Sequence, residues 1–232
     1  MRLVVIVSLL FGLSLSAAQA AERITKTFTP RKVLPVDEAS KDPSFQAFRD
    51  ELIKAIERKD GNFLLSVVDP HIAISFGGDD GIEFFRRNWK PEDPNSAIWS
   101  QLGEILGMGG TFGMNGRAKD QFWAPYLFTR FPQKYDVFDY IAIIAKDVKV
   151  REAANDSAPA VATLSYDVVR TLQNEGSKEW TPKPGSEWIP VRLADGREGY
   201  VKDRFVRSPI DYRACFKKTA GRWVMTVFIA GD

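Results

Sequence analysis

Residues 188–201 read WIPVRLADGREGYV, two short strand-like runs meeting at a turn, and this stretch decides the fold. Asp195-Gly196 supplies the positive φ that a tight hairpin turn needs. Trp188 and Tyr200 bring large aromatic area to a β-structure too small to tolerate gaps. The same texture of short alternating runs broken by turn residues fills residues 141–145, 148–151, 160–164 and 168–172, with 188–193 and 198–201 completing the series. Such a series predicts a small β-barrel or sandwich, whose boundary with the preceding region falls near residue 140.

On its C-terminal side, residues 212–217 and 222–229 flank the turn Lys218-Thr219-Ala220-Gly221 and predict a β-hairpin. On its N-terminal side the pattern changes to helices. Asp42-Pro43 marks a helix start, with Asp as N-cap and Pro where its missing N–H costs nothing. Phe45, Phe48, Leu52, Ala55 and Ile56 follow at helical spacing, with Arg49, Glu51, Lys54 and Glu57 turned mostly to the other side, until Gly61 ends the helix. A short helical turn over 63–68 is closed by Pro70. Residues 71–76 (HIAISF) alternate, placing Ile72, Ile74 and Phe76 on one face of a strand. Asp80 and Glu83 form a variant capping box for a helix bearing Ile82, Phe85 and Trp89, and Asp93-Pro94 starts another with Ile98, Leu102, Ile105 and Leu106 on one stripe. Residues 21–41 carry prolines and mixed charge without a period, which predicts an extended or mobile lead-in rather than a packed element.

Two groups of residues carry a family resemblance. Val148, Val150 and Arg151, followed by Val161, Thr163 and Leu164, match an opening V-x-V-R strand. Trp188, Val191, Asp195, Gly196, Gly199, Tyr200 and Val201 match a W-x-x-V…D-G-x-x-G-[WY]-V hairpin. On these, residues 143–207 resemble the bacterial SH3 (SH3b) domain. The match departs after Leu164, where such families usually show a glycine and this chain has Ser165-Tyr166-Asp167, and in a long excursion over 174–187 that contains Trp180. The resemblance implies a small barrel serving as a ligand-binding module of exported proteins, frequently associated with cell-wall peptides or glycans, or else a packing domain with no ligand. The rest of the chain resembles the cone-shaped NTF2-like fold, in which the C-terminal hairpin would return to complete the N-terminal sheet. The predicted plan is α+β: a mixed helix/strand domain over 42–140, an SH3-like barrel over 141–207, and a hairpin over 208–232.

The first 20 residues open with Arg2, run apolar to Leu15, and end in Ala18-Gln19-Ala20, the small-residue pattern that a signal peptidase accepts. Residues 1–20 therefore read as a cleaved secretory signal peptide. No later run is long and apolar enough to span a bilayer, so the mature product is expected to be soluble and exported, periplasmic where an outer membrane exists. With Arg2 removed, 31 basic residues face 30 acidic ones and form no basic stripe, which disfavours nucleic acid. Cys215 is the single cysteine, so no internal disulfide can form.

The chemistry of the chain is sparse. His71 is the only histidine, which removes multi-histidine metal sites, and a Cys215–His71 nucleophile pair is opposed by the mid-strand position of Cys215. Asp79-Asp80 reads as turn and cap chemistry and lacks calcium-loop spacing. Residues 107–116 (GMGGTFGMNG) lack the G-K-[ST] ending of a phosphate loop and read as a flexible loop. The aromatic crowd over 122–140 reads as core or interdomain packing, with pocket lining as the alternative. Tyr166, Trp180, Trp188 and Tyr200 remain as candidate ligand-binding residues, although Trp188 reads as core sooner than as contact. No cofactor is expected. The function expected is non-enzymatic binding of a cell-wall peptide or glycan or another envelope protein, against two alternatives: an enzyme with a carboxylate and aromatic pocket in the N-terminal domain, and a structural interaction protein.

Overall fold

The computed structural model describes residues 27–114, 117–173 and 187–231. The predicted signal peptide and Trp180 lie outside the described residues. Helix α1 (Pro43–Arg58) begins as predicted: the Asp42 carboxylate accepts from the Ser44 and Phe45 amides at 2.8 and 3.1 Å. It ends on Lys59, in the left-handed region at φ 55°. Gly61 instead opens helix α2 (Gly61–Ser66), and a Cβ there would stand 2.5 Å from the Pro91 carbonyl oxygen. Close backbone approach, not helix termination, is what requires glycine at this position.

Strand β1 (Val68–Ala73) starts earlier than the alternation predicts and runs through Pro70, which is tolerated because β1 lies at a sheet edge. Ile72 is buried, but Phe76, expected on the same face, is 62% exposed beyond the strand end. Helix α3 (Ile82–Trp89) has no side-chain cap. Asp80 turns back instead, accepting from the Ile74 and Ser75 amides at 2.8 and 3.2 Å and closing the loop after β1. Helix α4 (Ala97–Gly107) starts after Ser96 rather than at Asp93-Pro94, with Ser96 Oγ accepting from the Ile98 amide.

The glycine-rich stretch read as a loop contains strand β2 (Thr111–Met114), paired antiparallel with β3 (Arg117–Ala124). Its strand character was hidden by glycine, a residue depleted in strands. A short helix, α5 (Tyr126–Arg130), leads into β4 (Tyr140–Ile143), β5 (Val148–Arg151), β6 (Ala160–Leu164), β7 (Val168–Thr171), β8 (Trp188–Arg192), β9 (Glu198–Lys202) and β10 (Val206–Arg207). Strands β11 (Arg213–Thr219) and β12 (Arg222–Ile229) end the chain.

These strands form two sheets in an α+β architecture. The five-stranded sheet has the order β1-β12-β11-β3-β2, so the C-terminal hairpin lies at its centre: β11 pairs with β3 and β12 runs parallel to β1. One face is covered by α1, α3 and α4, whose Phe45, Leu52, Phe85, Ile98 and Leu102 pack on Phe122, Phe216, Met225 and Phe228 from the strands. The seven-stranded sheet has the order β10-β4-β7-β8-β9-β5-β6, with β10 and β6 as its two ends and every pairing antiparallel. Ile141, Val148, Val150, Val169, Ile189, Val191 and Val201 make its core. Gly196, at φ 88°, provides the β8–β9 turn with the backbone conformation that Asp-Gly predicts.

Residues 27–38 form no helix and lead into a 3-10 turn, Ala39–Lys41, yet the segment packs closely. Phe28 meets the Tyr135 and Tyr140 rings edge-on at 5.9 and 5.1 Å, and Val33 is buried with Tyr126, Leu127 and Val168. The Val33 amide donates to the Tyr166 carbonyl and the Val168 amide to the Arg31 carbonyl, both at 2.8 Å. Lys32 pairs with Asp167 at 2.7 Å. Further on, Asp37 binds the Arg49 guanidinium, whose Nη2 donates to the Leu106 carbonyl at 2.7 Å. Arg49 is thus buried rather than turned outward, since its charge is met on both sides. The segment is a strap tied to both sheets. Among the described residues no helix is long and apolar enough to cross a membrane.

Phe45 touches five other rings, with centroid distances from 4.2 Å to Phe122 to 5.9 Å to Phe48 and Phe216. Phe45→Ala is expected to lower unfolding free energy by about 3–5 kcal/mol, read as a shift in the denaturant midpoint.

Candidate functional site

The alternation of a β-strand decides which residues of the seven-stranded sheet are free to act. Ile189, Val191 and Val201 point into its core. Their neighbours Trp188, Pro190, Tyr200 and Lys202 therefore share the opposite face, with Trp188 across from Lys202 and Pro190 across from Tyr200. Strand β5 lies beside β9 and adds Arg151, directly across from Tyr200, and the exposed Lys149. Trp188 is half-buried and lies outside the apolar core, so the core role considered for it is not the one it has.

At the Trp188 end this face opens into a cleft of about 220 Å³. Five cations line it, Lys146, Lys149, Arg151, Lys202 and Arg204, against the two carboxylates of Asp147 and Asp156. Lys202 Nζ sits 5.2 Å from the Trp188 ring centroid and pairs with Asp156 at 2.6 Å and Glu187 at 3.2 Å. The hydrogen bond from Lys202 holds the Asp156 carboxyl below its ordinary range, and the same bond raises the Lys202 ammonium. Arg151 donates to the Ala158 carbonyl at 2.6 Å, and the Arg204 guanidinium lies 4.8 Å from the Phe205 ring centroid. Among the described residues Lys146, Lys149 and Arg204 have no ion-pair partner. A half-buried indole framed by uncommitted cations can hold an anionic group next to an apolar one.

Of the four aromatic candidates, Trp188 and Tyr200 come together on this face. Tyr166 does not. It occupies the β6–β7 turn at φ 61°, and its carbonyl anchors the strap through Val33. The cations were missed in the sequence because they are scattered over residues 146–204, although the alternation of Lys149 and Arg151 with buried Val148 and Val150 was a usable signal.

A second cavity, of about 550 Å³, lies between α4 and residues 203–211. Glu104, Asp203 and Asp211 line it together with Arg204 and Arg207. Arg207 is spent on the Tyr212 carbonyl at 2.7 Å and on Asp211 at 3.6 Å. Burial, then the nearby Asp211 charge, pushes the Asp203 carboxyl above its ordinary value. No sequence motif announces this site, because its residues meet only when β10 is placed beside α4.

The remaining candidates carry no assembled chemistry. Asp79 and Asp80 serve the loop after β1, and His71 is exposed. Among the described residues no group of three or more His, Cys, Asp or Glu side chains is placed to hold a metal. Comparison with protein-family models, with curated proteins and with solved structures gives no match to this chain.

Cys215 is buried mid-strand on β11, with its thiol 3.8 Å from Gln121 Oε1 and no imidazole among its partners. Burial pushes the thiol up to about 12. Cys215 is expected to resist thiol reagents in the native protein at about pH 8 and to react on unfolding, because the thiolate is the reactive form. The unfolded thiol ionises near its ordinary value of 9.0 and the folded one at about 12, so unfolding releases a proton between these limits. Stability should therefore fall as pH rises across that window, which denaturant titrations at stepped pH would measure.

Proposed function

We propose that this is an exported, non-enzymatic binding protein. Residues 1–20 direct export to the periplasm or the cell exterior, and the seven-stranded sheet is an SH3b-type module that recognises a cell-envelope ligand: a peptidoglycan peptide or glycan, or an envelope protein. In the same reading the five-stranded sheet with its helices corresponds to an NTF2-like cone. The observation that carries the proposal is the outward face of β5, β8 and β9, where Tyr200 lies across from Arg151 and Trp188 shares a cleft with Lys149 and Arg204, neither of which has an internal ion-pair partner among the described residues. A surface built only for packing would bury its indole and neutralise its cations. Aromatic and arginine side chains at the centre of a cleft are the groups that dominate binding energy at interfaces.

Retention of the mature chain on purified peptidoglycan at moderate salt checks this reading, and a lack of retention counts against it. Trp188→Ala is expected to weaken retention about tenfold or more, the loss typical of an aromatic anchor. Lys149→Glu should weaken it with a marked salt dependence, because an exposed charge acts through screened Coulomb attraction.

A second reading, an enzyme, is favoured by one observation: Asp203, held protonated more readily than usual, shares a cavity with Asp211 and Glu104. A carboxyl with a raised pKa beside further carboxyl groups suits general acid catalysis. On that reading the mature protein would release soluble fragments from peptidoglycan and Asp203→Asn would abolish the release; intact peptidoglycan after prolonged incubation rejects it.

A further inference from the structure

We propose that the cleft beside Trp188 is a carboxylate site occupied by the protein's own Asp156, and that an acidic peptide binds there by displacing it. The proposal rests on the binding role given above and names the ligand chemistry of that site.

Asp156 lies in the connection between β5 and β6, at residues 152–159. Its carboxylate accepts from Lys202 Nζ at 2.6 Å, and the charges of Arg151 and Arg204 also act on it. One carboxylate thus pairs with Lys202 and lies in the field of two further cations that line the cleft. The two partners of the ion pair differ in how they are held. The Lys202 side chain is only 13% exposed, fixed between Trp188 and Glu187, whereas the Asp156 side chain is 71% exposed. Lys202 is its one ion-pair partner among the described residues. The neighbouring turn does not depend on it: Asn155 Oδ1 accepts from the Ser157 and Ala158 amides, and Arg151 holds the Ala158 carbonyl. Asp156 can therefore leave while the turn stays in place. An exposed ion pair contributes little stability, so a ligand carboxylate that also lies on Trp188 outcompetes it.

The surrounding charges select the ligand. Asp147 on the cleft wall and Glu187 on Lys202 repel an extended polyanion, whereas a single carboxylate flanked by an apolar group finds the cations at the centre and the indole beside them. A peptide carboxylate meets these requirements, from either an acidic side chain or a free C-terminus.

Calorimetric titration of the mature protein with two probes tests this: an acetylated tetrapeptide amide with one glutamate, and an acetylated tripeptide ending in phenylalanine with a free C-terminus. The glutamine and C-terminal amide analogues are the controls. The Asp156→Asn protein is expected to bind at least one carboxylate probe about tenfold more tightly than the native protein, as for a site self-occupied about nine-tenths of the time. The neutral analogues should gain nothing, and Lys202→Met should abolish the binding. The probe that responds identifies the source of the carboxylate. Equal or weaker binding by Asp156→Asn, with Lys202→Met still deleterious, overturns the displacement while leaving the cleft as a binding site. No binding of either probe to any of the three proteins overturns the carboxylate assignment, and peptidoglycan retention then decides the broader reading separately.

Discussion

The pairing of β11 with β3, which sets Cys215 opposite Trp123 and Phe216 opposite Phe122, is the contact on which the rest of the molecule depends. It joins the end of the chain to a strand laid down before the seven-stranded sheet begins, so that sheet is an excursion between two paired neighbours. The entropy of closing so long an excursion is modest, because each doubling of a loop adds only about 0.6 kcal/mol. The burial of Phe122, Phe216 and Phe228 under three helices far exceeds that cost. Without the C-terminal hairpin the first sheet would be left with β1 on one side and β2–β3 on the other, separated by a missing centre.

The two sheets are tied together by the strap. Val33, Val168 and Tyr126 share one buried cluster, while Asp37 and Arg49 fasten the strap's other end to α1. Tyr126 shows the consequence of this burial: desolvation pushes its phenol up to about 12, and its hydroxyl donates to the Val33 carbonyl at 3.3 Å. Buried arginines recur where elements meet. Arg49 reaches the end of α4, Arg207 the start of β11, and Arg213 the carbonyls of Ile210 and Gly231. Each bonds backbone carbonyls at the ends of elements, a role suited to the forked guanidinium.

The outward face of β5, β8 and β9 follows from strand geometry. A small antiparallel sheet with one face filled by valine and isoleucine presents every alternate residue outward, and on β5, β8 and β9 that face carries Lys149, Arg151, Trp188, Tyr200 and Lys202 beside Pro190 and Glu198. The cleft is formed where the 3-10 turn Asp203–Phe205 and residues 146–147 rise beside that face. Its cations cannot neutralise one another, and Asp156 answers only part of their charge.

Local sequence by itself determined the elements whose signals are local. The Asp42-Pro43 helix start, the Asp195-Gly196 turn, the strand alternation beginning at Val148 and the hairpin over 212–229 all depend on contacts within a few residues, and all are present. Where two uses of the same residue compete, tertiary structure decided. Asp80 could cap a helix or close a loop, and the β1 connection took it. Gly61 could end α1 or admit Pro91, and close packing took it. Arg49 suited the solvent face of an amphipathic helix until Asp37 on the strap supplied its counter-charge. The strap carries no periodicity because its partners are scattered along the chain, from Arg49, which meets Asp37, to Tyr166, whose carbonyl accepts from the Val33 amide. Trp188 and Tyr200 were legible as aromatics of a hairpin, but the cations around them come from two stretches some fifty residues apart, 146–151 and 202–204. Only the folded sheet brings those charges within reach of one another, because Coulomb attraction depends on distance in space and not on separation along the chain.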